Sequence, residues 1–215
     1  MTDGAAERGR GILVIGRGSA GGPPDVVGVL LAAGAVRPSV ADAVAVTDAT
    51  IRRMREALAR FGIAEADAAT RGMSVGPEQV WTEGKGHQVT GYRAEHHLQV
   101  TVRELNRLGG LLGEVLAAGG DEVRLNAVEF AVENDAELRA RARDAAWADA
   151  HARARQLADL AGRPLGPVLD LVEEEHVPRP VARFAAAAGA APSELSIEAG
   201  TVGVQVVLSV RWALG

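Results

Sequence analysis

Val40, Val44, Thr47, Ile51, Met54, Leu58 and Phe61 recur at alternating steps of four and three, and only a helix gathers such a series onto one face. Arg52, Arg53, Arg55 and Glu56 fall off that face. Ser39 stands where an N-cap belongs, with Asp42 three residues on. Gly62 occupies the left-handed position that ends a helix, and Ile63 can fold back onto Leu58. A helix with one apolar face needs an apolar sheet to lie on. The closing segment has that character: Val202, Val204, Val206, Leu208, Val210 and Trp212 alternate with Gly203, Gln205, Ser209 and Arg211, the period of a strand buried on one side.

The rest of the chain alternates between these two periods. Ile12 to Ile15 predicts a strand, and Val26 to Val36 a second one that pairs with it as a hairpin across Pro23-Pro24-Asp25. Thr70 to Val75 and Tyr92 to Arg103 predict two more, joined by a polar loop from Pro77 to Gln88. A helix follows on Leu105, Leu108, Leu112, Val115 and Leu116, closed by Gly119-Gly120. Its interior Gly109, Gly110 and Gly113 each cost about 1 kcal/mol relative to Ala, so tertiary packing must hold it. Val123 to Val132 predicts a strand whose apolar parity switches between Ala127 and Val128, the mark of a bulge. Asn134 and Glu137 open the longest helix, about 135 to 161, with Ala142, Ala146, Ala150, Leu157 and Ala161 inward. Val168 to Val172 is a strand. Residues 176–200, rich in alanine, proline and glycine, predict a mobile excursion or an arm that binds a neighbour. The class is α+β, mostly antiparallel, with three helices in the order ββ-α-ββ-α-β-α-ββ. Residues 1–10 form a flexible N-terminus before a domain at 11–215, which can hide two packed halves, about 11–103 and 104–215.

Composition narrows function. There are no cysteines among the 215 residues, which removes disulfides, thiolate nucleophiles, zinc–thiolate sites and iron–sulfur clusters. A net charge of −5 without a basic tract argues against nucleic acid. No apolar run is long enough to enter and cross a bilayer. Residues 1–10 lack the apolar core of a secretory leader, so the expected compartment is the cytoplasm.

Several ordered pieces resemble the SIMPL-domain family of YggE-type oxidative-stress-defence and periplasmic immunogenic proteins. They are Gly16-Arg17-Gly18-Ser19-Ala20 with Pro24-Asp25, Gly62-Ile63 with Asp67 and Thr70, and Gly91-Tyr92-Arg93. Val100-Thr101-Val102-Arg103-Glu104-Leu105 follows, then Leu157-Ala158, Gly162, Leu165-Gly166 and finally Gly200. Arg153 stands where members commonly carry Lys. The resemblance implies a SIMPL-like fold, no catalytic residues to carry over, self-association in some members and a link to stress defence in others.

Candidate sites are sparse. Gly16-Arg17-Gly18-Ser19-Ala20-Gly21 fits G-x-G-x-x-G, but prolines and a strand follow where a phosphate-binding helix must start. A glycine-rich hairpin turn is the expected reading. His96 and His97 are strand neighbours and point to opposite faces. Glu95 and His97 share a face but provide only two of the three donors a useful metal site needs. Glu173-Glu174-Glu175-His176 reads as a solvated charge run, and Arg139, Arg141, Arg143, Arg153 and Arg155 as helix-surface partners of Asp144, Asp149 and Asp159. No serine sits in an elbow motif. The sequence therefore predicts no catalytic residue, cofactor or metal. It favours a non-enzymatic homo-oligomer joined through sheet edges and the alanine-faced helix, with a protein partner of unknown identity. The alternative is a small-molecule binder or enzyme with a pocket at Trp81, Tyr92 and Arg93.

Overall fold

The computed structural model describes residues 11–84, 86–174 and 200–215. Ten principal elements follow the predicted order: β1 (Ile12–Gly22), β2 (Val26–Arg37), α1 (Val40–Arg60), β3 (Ala68–Thr82), β4 (Gly86–Val102), α2 (Leu108–Gly119), β5 (Val123–Ala131), α3 (Ala136–Leu160), β6 (Leu165–Glu174) and β7 (Val202–Leu214). Among the described residues they make a three-stranded sheet, β1-β7-β6, and a four-stranded sheet, β3-β4-β2-β5. All pairings are antiparallel. The fold is α+β.

The chain divides into two compact units. One takes residues 11–23, 132–174 and 201–215, and the other takes 24–84 and 86–131. The division does not follow the sequential boundary between 11–103 and 104–215, because β1 belongs with the C-terminal elements. For the same reason the expected β1–β2 hairpin does not form: β1 pairs with β7 along its whole length, from Ile12↔Trp212 to Gly22↔Val202. Pro23-Pro24 has fixed φ angles and no amide donors, so it supplies none of the ladder hydrogen bonds such a hairpin needs.

The larger unit is built on side-chain volume. Val27, Val29 and Leu31 of β2 and Leu98, Val100 and Val102 of β4 pack under Ile51, Met54 and Leu58 of α1 and Leu108, Leu112 and Val115 of α2. Each Leu or Met buried there contributes about 1.5–3 kcal/mol. The caps of α1 are the predicted ones: Ser39 Oγ accepts from the Asp42 amide at 3.1 Å, and Ile63 N–H donates to Leu58 C=O at 3.1 Å, with Gly62 at φ +80°. The bulge in β5 falls one residue earlier than the parity switch, because Leu30 pairs with Ala127 and Leu31 with Leu125, skipping Asn126. The β3–β4 hairpin runs well past the predicted strands. Pro77 sits inside β3 opposite Tyr92, which an edge strand tolerates.

The smaller unit is built on close approach. Its buried helix row is Leu138, Ala142, Ala146, Ala150, Ala154 and Ala158, a strict step of four. The predicted Leu157 is 45 % exposed, and Ala161 is also outside. A row of step four runs obliquely to a helix axis, inclined by about 26°, and here it lies along β1. Four helical residues rise about 6 Å, while two strand residues advance about 6.6 Å, so every fourth alanine meets every second residue of β1. At Gly16 and Gly18 the helix backbone is so near that an added Cβ would strike the Ala146 and Ala142 carbonyl oxygens. The glycine motif is therefore the body of a strand and not a hairpin turn, and its glycines admit a helix.

Candidate functional site

In the larger unit, β4 sorts its neighbours by parity. His96 points inward, is 8 % exposed and shares a 2.9 Å hydrogen bond between Nε2 and Thr70 Oγ1. Its Nδ1 is buried without a partner. Burial, then the Arg55 charge, holds the imidazole below its usual pKa. Arg93, Glu95 and His97 point to the opposite face. Arg93 grips Glu78 through two bonds of 2.8 and 2.9 Å, and this keeps the Glu78 carboxyl below the ordinary range. Glu95 lies 3.7 Å from Arg93 and 3.6 Å from Arg124, with His97 at 3.8 Å. The Arg124 contact crosses β2 at Gly34, where a Cβ would come within 3.3 Å of Glu95 and 3.4 Å of Arg124. Two guanidinium groups thus already surround the carboxylate that was a candidate ligand. Among the described residues no group of three or more His, Asp or Glu side chains could hold an ion.

Trp81, Tyr92 and Arg93 do not converge. Trp81 is opposite His87 in the strand register, in edge contact with its ring at 5.2 Å, and 66 % exposed. Tyr92 lies between Pro77 and Arg37 in the strand register, and Arg93 turns to the other face. A cleft of about 180 Å³ does exist where α1 ends, lined by Phe61, Ile63 and Leu111 with Asp67, Arg103 and Arg107. It is smaller than typical ligand sites, and its charges face each other: Arg103 bonds Asp67 at 2.8 Å and Arg107 bonds Glu104 at 2.9 Å. The Gly62-Ile63, Asp67 and Arg103-Glu104 pieces are thereby accounted for as one corner of the fold.

The two margins of the three-stranded sheet are treated very differently. At β1, α3 reaches over the strand and bonds its outward backbone: Arg17 N–H donates to Asp149 Oδ2 at 2.9 Å, Arg153 donates to Ile15 C=O at 3.4 Å, and Arg141 donates to Gly21 C=O at 3.3 Å. Of the expected helix pairing Arg153–Asp149 forms, while Arg139 bonds Asp135, which was not among the expected partners. At β6, among the described residues, α3 is linked through Arg143, which bonds Glu173 at 2.8 Å. Val168, Leu169, Leu171 and Val172 are all about half exposed. Beside them stands a stack in which Trp147 lies 5.7 Å from Trp212 and 6.3 Å from His151. Glu174 is exposed, and Glu175, His176 and the rest of the predicted excursion, except Gly200, lie outside the described residues. Sequence reasoning missed this surface. The available signal was that β6 carries apolar residues in consecutive pairs instead of alternating.

The architecture defines an α+β protein with one helix-covered sheet in each unit. The SIMPL family profile, described as a protein of unknown function (DUF541), matches residues 12–212, and the chain belongs to that family. It is 31 % identical to the 26 kDa periplasmic immunogenic protein of Brucella melitensis, over 93 % of this chain and 84 % of that one. It is also 31 % identical to the uncharacterized protein YggE of Edwardsiella ictaluri, over 84 % and 75 %, and 29 % identical to YggE of Escherichia coli, over 73 % and 63 %. A solved amidase of the hydantoinase/carbamoylase family from Burkholderia phymatum matches at 20 % identity over 62 % of this chain and 33 % of that one, with a TM-score of 0.25, and carries no argument. The expectation of a cytoplasmic protein is corrected by the relatives named periplasmic. It rested only on the polar residues 1–10, and a polar stretch there does not fix a compartment. Among the described residues, no helix is long and apolar enough to cross a membrane.

Proposed function

We propose that this chain is a non-enzymatic interaction protein that self-associates, in the periplasm as its relatives' names indicate. The observation that carries this reading is the outer end of the β3–β4 hairpin. The β2 partner of β4 stops at Arg37↔Tyr92, so Gly86 to Gly91 pair with β3 alone. Val80, Trp81 and Val89 are more than half exposed along this ribbon. Two strands alone are marginal in water, and an apolar arm of this kind gains stability by lying against a second copy. A twofold pairing of arms sets like surface on like, and Glu78, already neutralised by Arg93, does not oppose it. The mutual pairing of charged groups on the open face of the same sheet supports the non-enzymatic part. The alanine face of α3 is not available for association, because β1 occupies it.

Light scattering on the full chain across micromolar concentrations tests the reading. A dimer or larger species is expected, shifting toward monomer in Trp81→Ser. A monomer throughout the range ends it.

A further inference from the structure

We infer that the outer edge of β6 receives an extended peptide strand in which basic residues alternate with apolar ones. The site is in the smaller unit and does not depend on the hairpin arm.

Backbone comes first. Among the described residues β6 pairs only with β7, so its other margin presents a row of amides and carbonyls, the template for strand addition. Natural edges are blunted by covering helices or by lysines. The β1 margin is covered by α3, but β6, with the sequence Leu-Gly-Pro-Val-Leu-Asp-Leu-Val-Glu-Glu, has no basic residue at all. Its proline and both of its register shifts come before Asp170, leaving Asp170 to Glu174 in regular register with β7.

Side chains then specify the guest. Register with β7 assigns the faces: Val168 pairs with Trp212 and Leu171 with Val210, on the side that α3 covers, while Asp170 pairs with Arg211 and Val172 with Ser209, on the other. Glu174, opposite Val207, shares the face of Asp170. An added strand would therefore place one set of alternate residues beside Val168, Leu171 and Glu173, whose charge Arg143 already meets, and the other set beside Asp170, Val172 and Glu174. The first environment favours valine- or leucine-like residues, and the second lysine or arginine. A second copy's β6 is a poorer guest, since antiparallel pairing of two such strands opposes acids that have no bases between them.

The experiment uses the full chain and three short labelled peptides: alternating valine and lysine, alternating valine and glutamate, and the valine–lysine peptide with alternate backbone nitrogens methylated. Fluorescence anisotropy gives affinity, and hydrogen exchange locates the contact. The valine–lysine peptide is expected to bind and to slow exchange at residues 168–173, and the methylated form to lose this. In Asp170→Lys/Glu174→Lys the preference should invert, with a change of about tenfold in each direction. Both positions are on the surface, and the single Glu174→Lys variant should move the ratio part of the way. Equal binding of both charge patterns, binding without protection of β6, or no binding overturns the inference. So does light scattering that shows Trp81→Ser still dimeric with β6 amides protected and the peptide unable to compete, because the edge then belongs to a second copy.

Discussion

The β1 and β6 margins flank the same strand, β7, yet among the described residues α3 bonds the outward backbone of one and leaves that of the other unpaired. At β1 the closure comes from small residues. Gly16 and Gly18 let the alanine row of α3 descend to backbone contact, and at that range Asp149, Arg153 and Arg141, on the flank of the helix, reach the strand's outward amides and carbonyls. At β6, among the described residues, the helix contributes the Arg143 side chain on Glu173, a contact to a side chain and not to the strand's backbone. Edge protection in this unit is therefore a consequence of which strand carries the glycines. The acidic, apolar β6 carries the strand addition proposed above.

The severest way to break the comparison is to push the helix off β1. Gly18→Val places atoms where the Ala142 carbonyl and the Ala146 amide already are, and backbone cannot give way as a side chain can. A loss of about 3 kcal/mol or more, or failure to fold, is expected in urea unfolding. A loss below about 1 kcal/mol would mean that the helix is not seated as closely as described. Next in size is Ala146→Leu, which overfills the contact from the helix side by about 2–3 kcal/mol. Its cost should not add to that of Gly18→Val, since both act on one contact. Full additivity would show that the two residues do not share it.

Much of this architecture was legible in the sequence. The α1 stripe, its Ser39 cap and its Gly62 stop, and the alternation of β7 each reflect a local rule with one solution. What escaped was non-local. Gly16-Arg17-Gly18 looks like a turn to any rule that reads neighbours, because what its glycines accommodate is Ala142 and Ala146, more than a hundred residues away. A mean period of 3.6 residues carries Leu157 to the inner face, whereas the contact follows the step-of-four ridge. Trp81, Tyr92 and Arg93 are near one another around the hairpin loop in sequence, but strand alternation separates Tyr92 from Arg93.

A milder test converts one margin into the other. Asp149→Ala removes the acceptor of the Arg17 amide and the ion-pair partner of Arg153 but leaves the alanine row intact. A loss of about 1 kcal/mol is expected, together with faster exchange of the Arg17 amide. If β1 is protected only by these contacts, the variant should also begin to associate through that edge at concentrations where the parent does not. Unchanged exchange at Arg17 would show that the helix backbone shields the strand without the carboxylate.

The smallest expected effect is at β6. Val172→Lys changes an exposed side chain on an edge strand and removes little buried surface, so unfolding free energy should move by no more than about 0.5 kcal/mol. Its informative consequence lies in association. A lysine between Asp170 and Glu174 is the device by which natural edge strands repel an incoming chain, and it also cancels the local negative charge that selects a basic guest. Folding should therefore be unaffected while the valine–lysine peptide is lost. The equivalent change on the outward face of β1, Ile15→Lys, should leave binding as it was, because that margin is already closed. If Val172→Lys destabilised the unit by more than about 1 kcal/mol, β6 would have to be buried against something in the free protein, and the contrast between the two margins would fail at its open end.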